Sequence, residues 1–219
     1  MGHSFRSNSP GGENFMEYFF VGTLIMIILF TAIFSTISII EDRREGFLQS
    51  VLVAPISPMA VVLGKVLGGT ILATGQGVVL LLLAPLIGIK LGVASFLVSV
   101  FVMLIVSFAL TGLGFCIAWR MSSTQGFHAI MMLFLMPMWF LSGAMFPVDG
   151  AKRVMAWIMS VNPLTYGVAA LRRAIYLGQG TSLALPGWTM CLGITILFAA
   201  VMFLLAATIA QGRVAADWQ

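Results

Sequence analysis

Long uncharged stretches, separated by short charged or polar segments, dominate this sequence. An α-helix needs about 20 predominantly apolar residues to cross the hydrocarbon core of a membrane, and five stretches are long enough. The fourth stretch contains Pro137 and a Leu-Ser-Gly sequence, so we expect it to bend or break. The pattern predicts an all-α polytopic membrane protein. Its five predicted spans are about residues 18–40, 58–89, 91–119, 123–148 and 188–210.

The segment between the last two spans, residues 149–186, is too apolar for an ordinary water-exposed loop. Asn162 and Pro163 interrupt it, since proline cannot continue a helix that begins upstream. Two short helices at the interface, or re-entrant into it, fit this pattern better than another clean span. Residues 1–17 are predicted to form a loop without the apolar core of a signal peptide, 18–212 the membrane domain, and 213–219 a tail.

Composition supports a membrane environment. Hydrophobic residues make up 60% of the chain and charged residues 8%, with a mean hydropathy of +1.08, whereas soluble domains carry about 25% charged residues. This balance excludes a soluble or disordered chain, and the scattered basic residues do not favour nucleic acid as a partner. The basic residues divide five to six between the two sides of the membrane, so charge alone does not decide the orientation.

The segment after the first span, residues 41–57, combines charge with amphipathicity. Phe47, Leu48, Val51 and Leu52 would form one apolar stripe on a helix that lies along the membrane surface. Gly46 would let the chain turn into this helix, and Ser57 before a proline is typical of the N-cap of the next helix. The segment is either a solvated connector or a docking surface for a soluble partner, and the residue pattern alone leaves both possibilities open.

Three ordered motifs resemble those of the type-2 ABC exporter permeases. Residues 41–57 contain E-x-x-x-E-G-x-L and end in A-P-I-S, similar to the family's coupling segment. Residues 141–147, L-S-G-A-M-F-P, resemble its S-G-x-x-[FY]-P signature, and residues 162–172 resemble N-P-L-T-Y-x-V-x-x-L-R. Many members carry Asp where this chain has Ala169. Within the family, the short loops are most similar to the drug and antibiotic exporter branch.

The resemblance implies an orientation and a set of partners. Residues 41–57 would form a cytoplasmic coupling helix, the interfacial element would lie on the external side, and the chain would be a multi-pass protein of the plasma (inner) membrane. Such permeases act as homodimers or heterodimers with ATP-binding subunits, which hold ATP and Mg²⁺. The family has six crossings, so the first helix would be missing here.

The permease itself would not be an enzyme and would hold no cofactor or metal, in keeping with the lack of a phosphate-binding G-x-x-x-x-G-K-[ST] motif. Its substrate would be a hydrophobic or amphipathic drug, antibiotic, lipid-linked or glycan compound, and membrane lipid would surround it.

Two alternatives remain open: an ion-coupled secondary transporter and a non-transporting membrane protein. Ion coupling needs ionisable groups within the bilayer. All seven acidic residues lie outside the predicted spans, and His128 is the titratable candidate inside one. We interpret His128 as a polar cap or interhelical hydrogen-bond partner rather than a proton carrier.

Three groups of residues are candidates for function. Those of the coupling segment are Glu41, Arg44, Glu45, Gly46, Phe47, Leu48, Val51, Leu52, Pro55 and Ser57. Those for a substrate path or for helix packing are Gln76, His128, Met132, Met136, Ser142 and Gly143. Those that the family motifs single out are Pro147, Asn162, Pro163, Leu164, Thr165, Tyr166 and Arg172.

Overall fold

A computed structural model describes residues 15–46, 57–145, 153–177 and 186–216. All regular secondary structure in these ranges is helical. A 3-10 turn, Ala84–Ile87, follows the third helix. The helices are α1 Phe15–Phe34, α2 Ile37–Arg44, α3 Pro58–Leu81, α4 Val93–Ala118, α5 Thr124–Phe140, α6 Arg153–Val161, α7 Pro163–Ile175 and α8 Trp188–Ala216.

Four stretches of the described chain are long and apolar enough to cross a membrane: Met16–Arg44, Pro58–Ile87, Val93–Ala118 and Trp188–Gln211. The arms of a further pair, α6 and α7, meet at an angle of 82°, and counting this pair as one span gives five in the described ranges. The prediction of an all-helical multi-pass membrane protein is confirmed. The bend lies at Asn162, where the sequence predicts it.

The helix in the fourth predicted span is shorter than residues 123–148. It has 17 residues and ends at Phe140, after the internal Pro137. Beyond it the chain turns through Gly143, whose φ of +78° favours glycine. Ser142 Oγ donates to the carbonyl of Trp139, 2.6 Å away, which occupies an acceptor at the helix end. Residues 146–152, including Pro147, lie outside the described residues.

Side-chain caps define several helix ends. Ser57 accepts a hydrogen bond from the amide of Ala60 at 3.3 Å, with Pro58 in the first turn, as predicted for the start of α3. Ser123 caps α5 in the same way through Gly126. These caps satisfy amides that have no partner inside the helix, so they fix where each helix begins.

The packing of the bundle is centred on α4. This helix contacts α1, α3, α7 and α8, and it contributes many of the fully buried side chains. Gly112 and Gly114 allow close approach, because a Cβ on Gly114 would lie 3.2 Å from the backbone of Ile33. Gly64 and Gly68 on α3 have no atom of the described chain near their Cβ positions. Within the described chain, the pair on α4 therefore serves helix packing and the pair on α3 does not.

Candidate functional site

The bundle has two ends, which we call the charged end and the far end. The charged end contains residues 41–46, Ser57 and the connection between α4 and α5, residues 119–123. The far end contains α6, α7 and the turn at 141–145. Helix α1 runs from the far end to the charged end, and α5 runs in the opposite direction.

Glu41 and Glu45 are exposed at the charged end, one helical turn apart. Gly46 follows with a φ of +76°, a backbone conformation that favours glycine. The remaining coupling candidates Phe47, Leu48, Val51, Leu52 and Pro55 lie outside the described residues.

Arg43 and Arg44 hold α2 against the connection between α4 and α5. The Nη2 of Arg43 donates to the carbonyl of Trp119 at 2.5 Å and its Nη1 to that of Met121 at 3.3 Å. The Nε of Arg44 donates to the carbonyl of Ser122 at 3.1 Å. Arg44, predicted to contact a partner, thus also contacts its own chain. Arg43 was missed as a candidate, since nothing in its local sequence shows that residue 119 lies beside it.

Asp42 and Lys65 form an ion pair that joins α2 to the second turn of α3. The Nζ of Lys65 also lies 3.3 Å from Ser38 Oγ. Lys65 thus has two partners on α2. The two helices that flank the coupling segment are therefore connected to each other at the charged end.

Aromatic side chains join α1 to the end of α5 at the far end. Tyr18 donates its hydroxyl to the carbonyl of Gly143 at 2.6 Å, and Trp139 donates its indole N–H to the carbonyl of Gly22 at 3.0 Å. Gly22 itself packs against the backbone of Ala144. Two residues of the L-S-G-A sequence, Gly143 and Ala144, thus contact α1 through their backbone.

Residues of the N-P-L-T-Y motif join α6 and α7 to the end of α5. Asn162 accepts a hydrogen bond from the amide of Leu164 and donates through Nδ2 to the carbonyl of Met138 at 2.7 Å. Thr165 Oγ1 donates to the carbonyl of Met159, also at 2.7 Å, and Tyr166 to that of Ser160 at 2.9 Å. These contacts hold α6 at its angle to α7 and attach both to α5.

Arg172, the basic residue of the last motif, is only 2% exposed. Its guanidinium carbon lies 3.7 Å from the centroid of the Tyr18 ring, close enough for a cation–π interaction. The structure thus brings residues of two family motifs, which are separate in sequence, together with the start of α1. Ala169 is buried in the same helix.

Replacing Asn162 tests how much this motif stabilises the bend. Asn162→Ala removes the cap and the bond to Met138, so we expect the free energy of unfolding in mixed micelles to fall by about 2 kcal/mol. Asn162→Ser keeps a capping oxygen but is too short to donate to Met138, and should cost about half as much. If the alanine variant is as stable as the parent, neither contact stabilises the fold.

The candidates for a substrate path occupy several places. Gln76 accepts a hydrogen bond from Thr31 at 2.5 Å, so it makes the predicted interhelical contact. The Nδ1 of His128 donates to the carbonyl of Thr124 in its own helix, 2.8 Å away, and its ring stacks on Phe34 of α1 at 5.0 Å. Met132 and Met136 lie exposed one turn apart on α5, on the same stripe as His128.

An apolar groove of about 510 Å³ lies on another face of α5. It is bordered by α4, α5, the bent pair and α8, and among the predicted residues only Asn162 and Pro163 line it. The sequence could not locate it, because its walls come from four separate segments. Its main lining residues are Leu133, Phe134, Met138, Trp157, Ile158, Phe198 and Met202.

Comparisons with known proteins agree with the motifs. The chain is 26% identical over 162 residues to ycf38 of Cyanophora paradoxa, which is named as a transport permease, covering 73% of this chain and 56% of that protein. It is 27% identical over 169 residues to the probable multidrug ABC transporter permease YbhR of Escherichia coli, covering 74% and 44%. For the inner membrane transport permease YhhJ of Escherichia coli the identity is 24% over 153 residues, covering 68% and 40%.

The chain therefore spans about half the length of the curated relatives that it matches. The family match is broader, since the description of ABC-2 type transporters fits residues 2–176. That range includes all three sequence motifs and the helices that join them at the far end. The chain belongs to the ABC-2 type transporter family.

Proposed function

We propose that this chain is the membrane subunit of an ATP-driven exporter that moves a hydrophobic or amphipathic compound out across the plasma membrane. The observation that carries the proposal is the geometry of the charged end. Glu41 and Glu45 are exposed where the chain enters the coupling segment, while Arg43 and Arg44 fix the same element to the bundle. A surface that is both accessible and firmly attached can bind a partner and transmit its movement.

The partner that fits this surface is a separate ATP-binding subunit, which would hold ATP and Mg²⁺. In this arrangement the charged end lies in the cytoplasm and the bent pair lies on the external side. A second permease, identical or different, would complete the transporter. Family membership supports these assignments, and the exposed carboxylates would make charged contacts with basic groups of the ATP-binding subunit.

The groove beside α5 supports an apolar substrate. Its lining is almost entirely aliphatic and aromatic, and Trp157 and Val161 of α6 point their exposed side chains away from the core. An amphipathic helix of this kind lies at the membrane surface, with its apolar side chains among the lipids. A drug, an antibiotic or a lipid-linked compound could enter such a groove from the bilayer.

The coupling role is tested with Glu45→Lys and Gly46→Leu in the permease reconstituted with its ATP-binding subunit. Charge reversal should disrupt the contact, and leucine at the positive φ of Gly46 should misdirect the segment. We expect both variants to lose at least about tenfold in substrate-stimulated ATP hydrolysis and transport. Hydrolysis and efflux are measured in the same proteoliposomes.

Two controls separate coupling from folding. Gly88 also has a positive φ, +91°, but lies at the far end, so Gly88→Leu imposes similar backbone strain without touching the coupling segment. Glu45→Gln removes the charge without reversing it and should be less severe. Parent-like coupling in both test variants would show that the segment is a connector. Transport driven by an ion gradient without the ATP-binding subunit would instead favour a secondary transporter.

A further inference from the structure

Helix α5 is attached to the rest of the described chain by a narrow stripe. Its buried residues recur every fourth position, whereas a helix packed into a core usually buries three or four positions in every two turns. Most other side chains of α5 are exposed. A helix held in this way can tilt as a rigid body when one of its ends is displaced. The buried residues are Phe127, Met131, Leu135 and Trp139.

The end of α5 at the charged end is held through Arg43. The last carbonyls of a helix lack intrahelical donors, and the guanidinium of Arg43 reaches two carbonyls just beyond the end of α4, those of Trp119 and Met121. Both belong to the short connection that ends at Ser123, the N-cap of α5. A displacement of Arg43 therefore moves the chain directly before α5.

Two further contacts support the same connection. The ring of Phe34, the last residue of α1, stacks on His128 in the second turn of α5, with the ring centroids 5.0 Å apart. Arg44 donates to Ser122 in the connection. Covalently, the coupling segment connects α2 to α3. Among the described residues, the noncovalent contacts of Arg43 and Arg44 join α2 directly to the connection that leads into α5.

We propose that Arg43 is a positioning residue that transmits movement of α2, the helix that leads into the coupling segment, to α5. The proposal rests on the proposed function, because it requires an ATP-binding subunit that moves the segment. Movement of α5 then reaches the far end through Trp139, whose indole is bonded to Gly22 of α1. Lysine cannot replace Arg43 fully, since an ammonium lacks the planar pair of donors that spans two carbonyls.

The test compares Arg43→Lys with the parent in lipid nanodiscs that contain the ATP-binding subunit. Both native cysteines are first replaced by alanine, and one spin label is placed at Gln125→Cys, exposed in the first turn of α5. A reference label at Ala60→Cys, exposed in the first turn of α3, reports on the helix that directly follows the coupling segment. Spectra are recorded without nucleotide and after trapping with ATP and vanadate.

In the parent, trapping should change the spectra of both labels. In Arg43→Lys the change at residue 60 should persist, the change at residue 125 should be lost, and substrate-stimulated hydrolysis should fall roughly tenfold. Arg120→Lys, an exposed basic residue in the same connection, is the matched control and should behave like the parent. Binding of the ATP-binding subunit and unfolding in micelles verify that each variant is folded.

Three other outcomes are informative. If both labels in Arg43→Lys respond as in the parent, α5 moves without Arg43 and the proposal is wrong. If both responses are lost although the ATP-binding subunit binds, Arg43 acts on the coupling segment rather than on α5, which also overturns it. If neither label responds in the parent, ATP does not move the segment, and the proposed function itself fails.

Discussion

Arg172→Ala is expected to lower the free energy of unfolding by about 3 kcal/mol, among the largest effects of a single substitution in this chain. The guanidinium is buried against the face of Tyr18, where a desolvated cation–π contact contributes about 2 kcal/mol. Alanine also leaves a cavity between α7 and α1 that the packed helices cannot close. The measurement is a denaturant titration of the permease in mixed micelles.

A double-mutant cycle isolates the contact from the loss of volume. Tyr18→Leu removes the ring, so Arg172→Ala should cost less in that background than in the parent. Tyr18→Phe keeps the ring and loses only the bond to Gly143. Arg173→Ala serves as the neighbouring control, because Arg173 is half-buried and binds the carbonyl of Pro186. Full additivity of the Tyr18→Leu and Arg172→Ala effects would contradict the proposed interaction.

Gly22→Ala is expected to cost about 3 kcal/mol, at the upper end of the overpacking range, because the site has no room for a methyl group. A Cβ on Gly22 would lie 3.0 Å from the carbonyl carbon of Ala144 and closer still to its oxygen. That neighbour is backbone, so it cannot rotate away. To relieve this steric clash, α1 would have to move away from the end of α5. That movement would also stretch the hydrogen bond from Trp139 to the carbonyl of Gly22.

The matched control is Gly193→Ala in α8. No atom of the described chain lies within 4 Å of a Cβ at that position. Alanine there should therefore stabilise the helix by up to about 1 kcal/mol, because its helix propensity is higher than that of glycine. Unfolding of both variants is followed under the same conditions. Equal and small effects at the two positions would show that the approach of Gly22 to Ala144 is not a tight constraint.

The helices were largely predictable because the bilayer imposes a simple rule. Uncharged stretches of sufficient length form helices, and Ser57 with Pro58 and Asn162 with Pro163 mark starts that the structure confirms. The end of α5 at Phe140 lies directly before the Leu-Ser-Gly sequence at which a bend or break was predicted. The chain then turns through Gly143.

The candidate site was predictable only where a motif is continuous in sequence. The exposed glutamates and the turn at Gly46 follow from residues 41–57 alone. By contrast, the contacts of Arg43 with Trp119 and of Trp139 with Gly22 join residues more than 70 positions apart. Hydrophobic periodicity carries no information about which carbonyl a distant arginine or indole will reach. Such pairs require the tertiary structure.

The short length of α5 has a consequence for the surrounding membrane. Seventeen residues rise about 26 Å, less than the roughly 30 Å thickness of a typical hydrocarbon core, whereas α3 and α4 have 24 and 26 residues. Where lipid covers α5, its chains would have to shorten or disorder to match this length, whereas lipids beside α3 would not. The protein would then border the bilayer with two hydrophobic thicknesses, the thinner one beside the apolar groove.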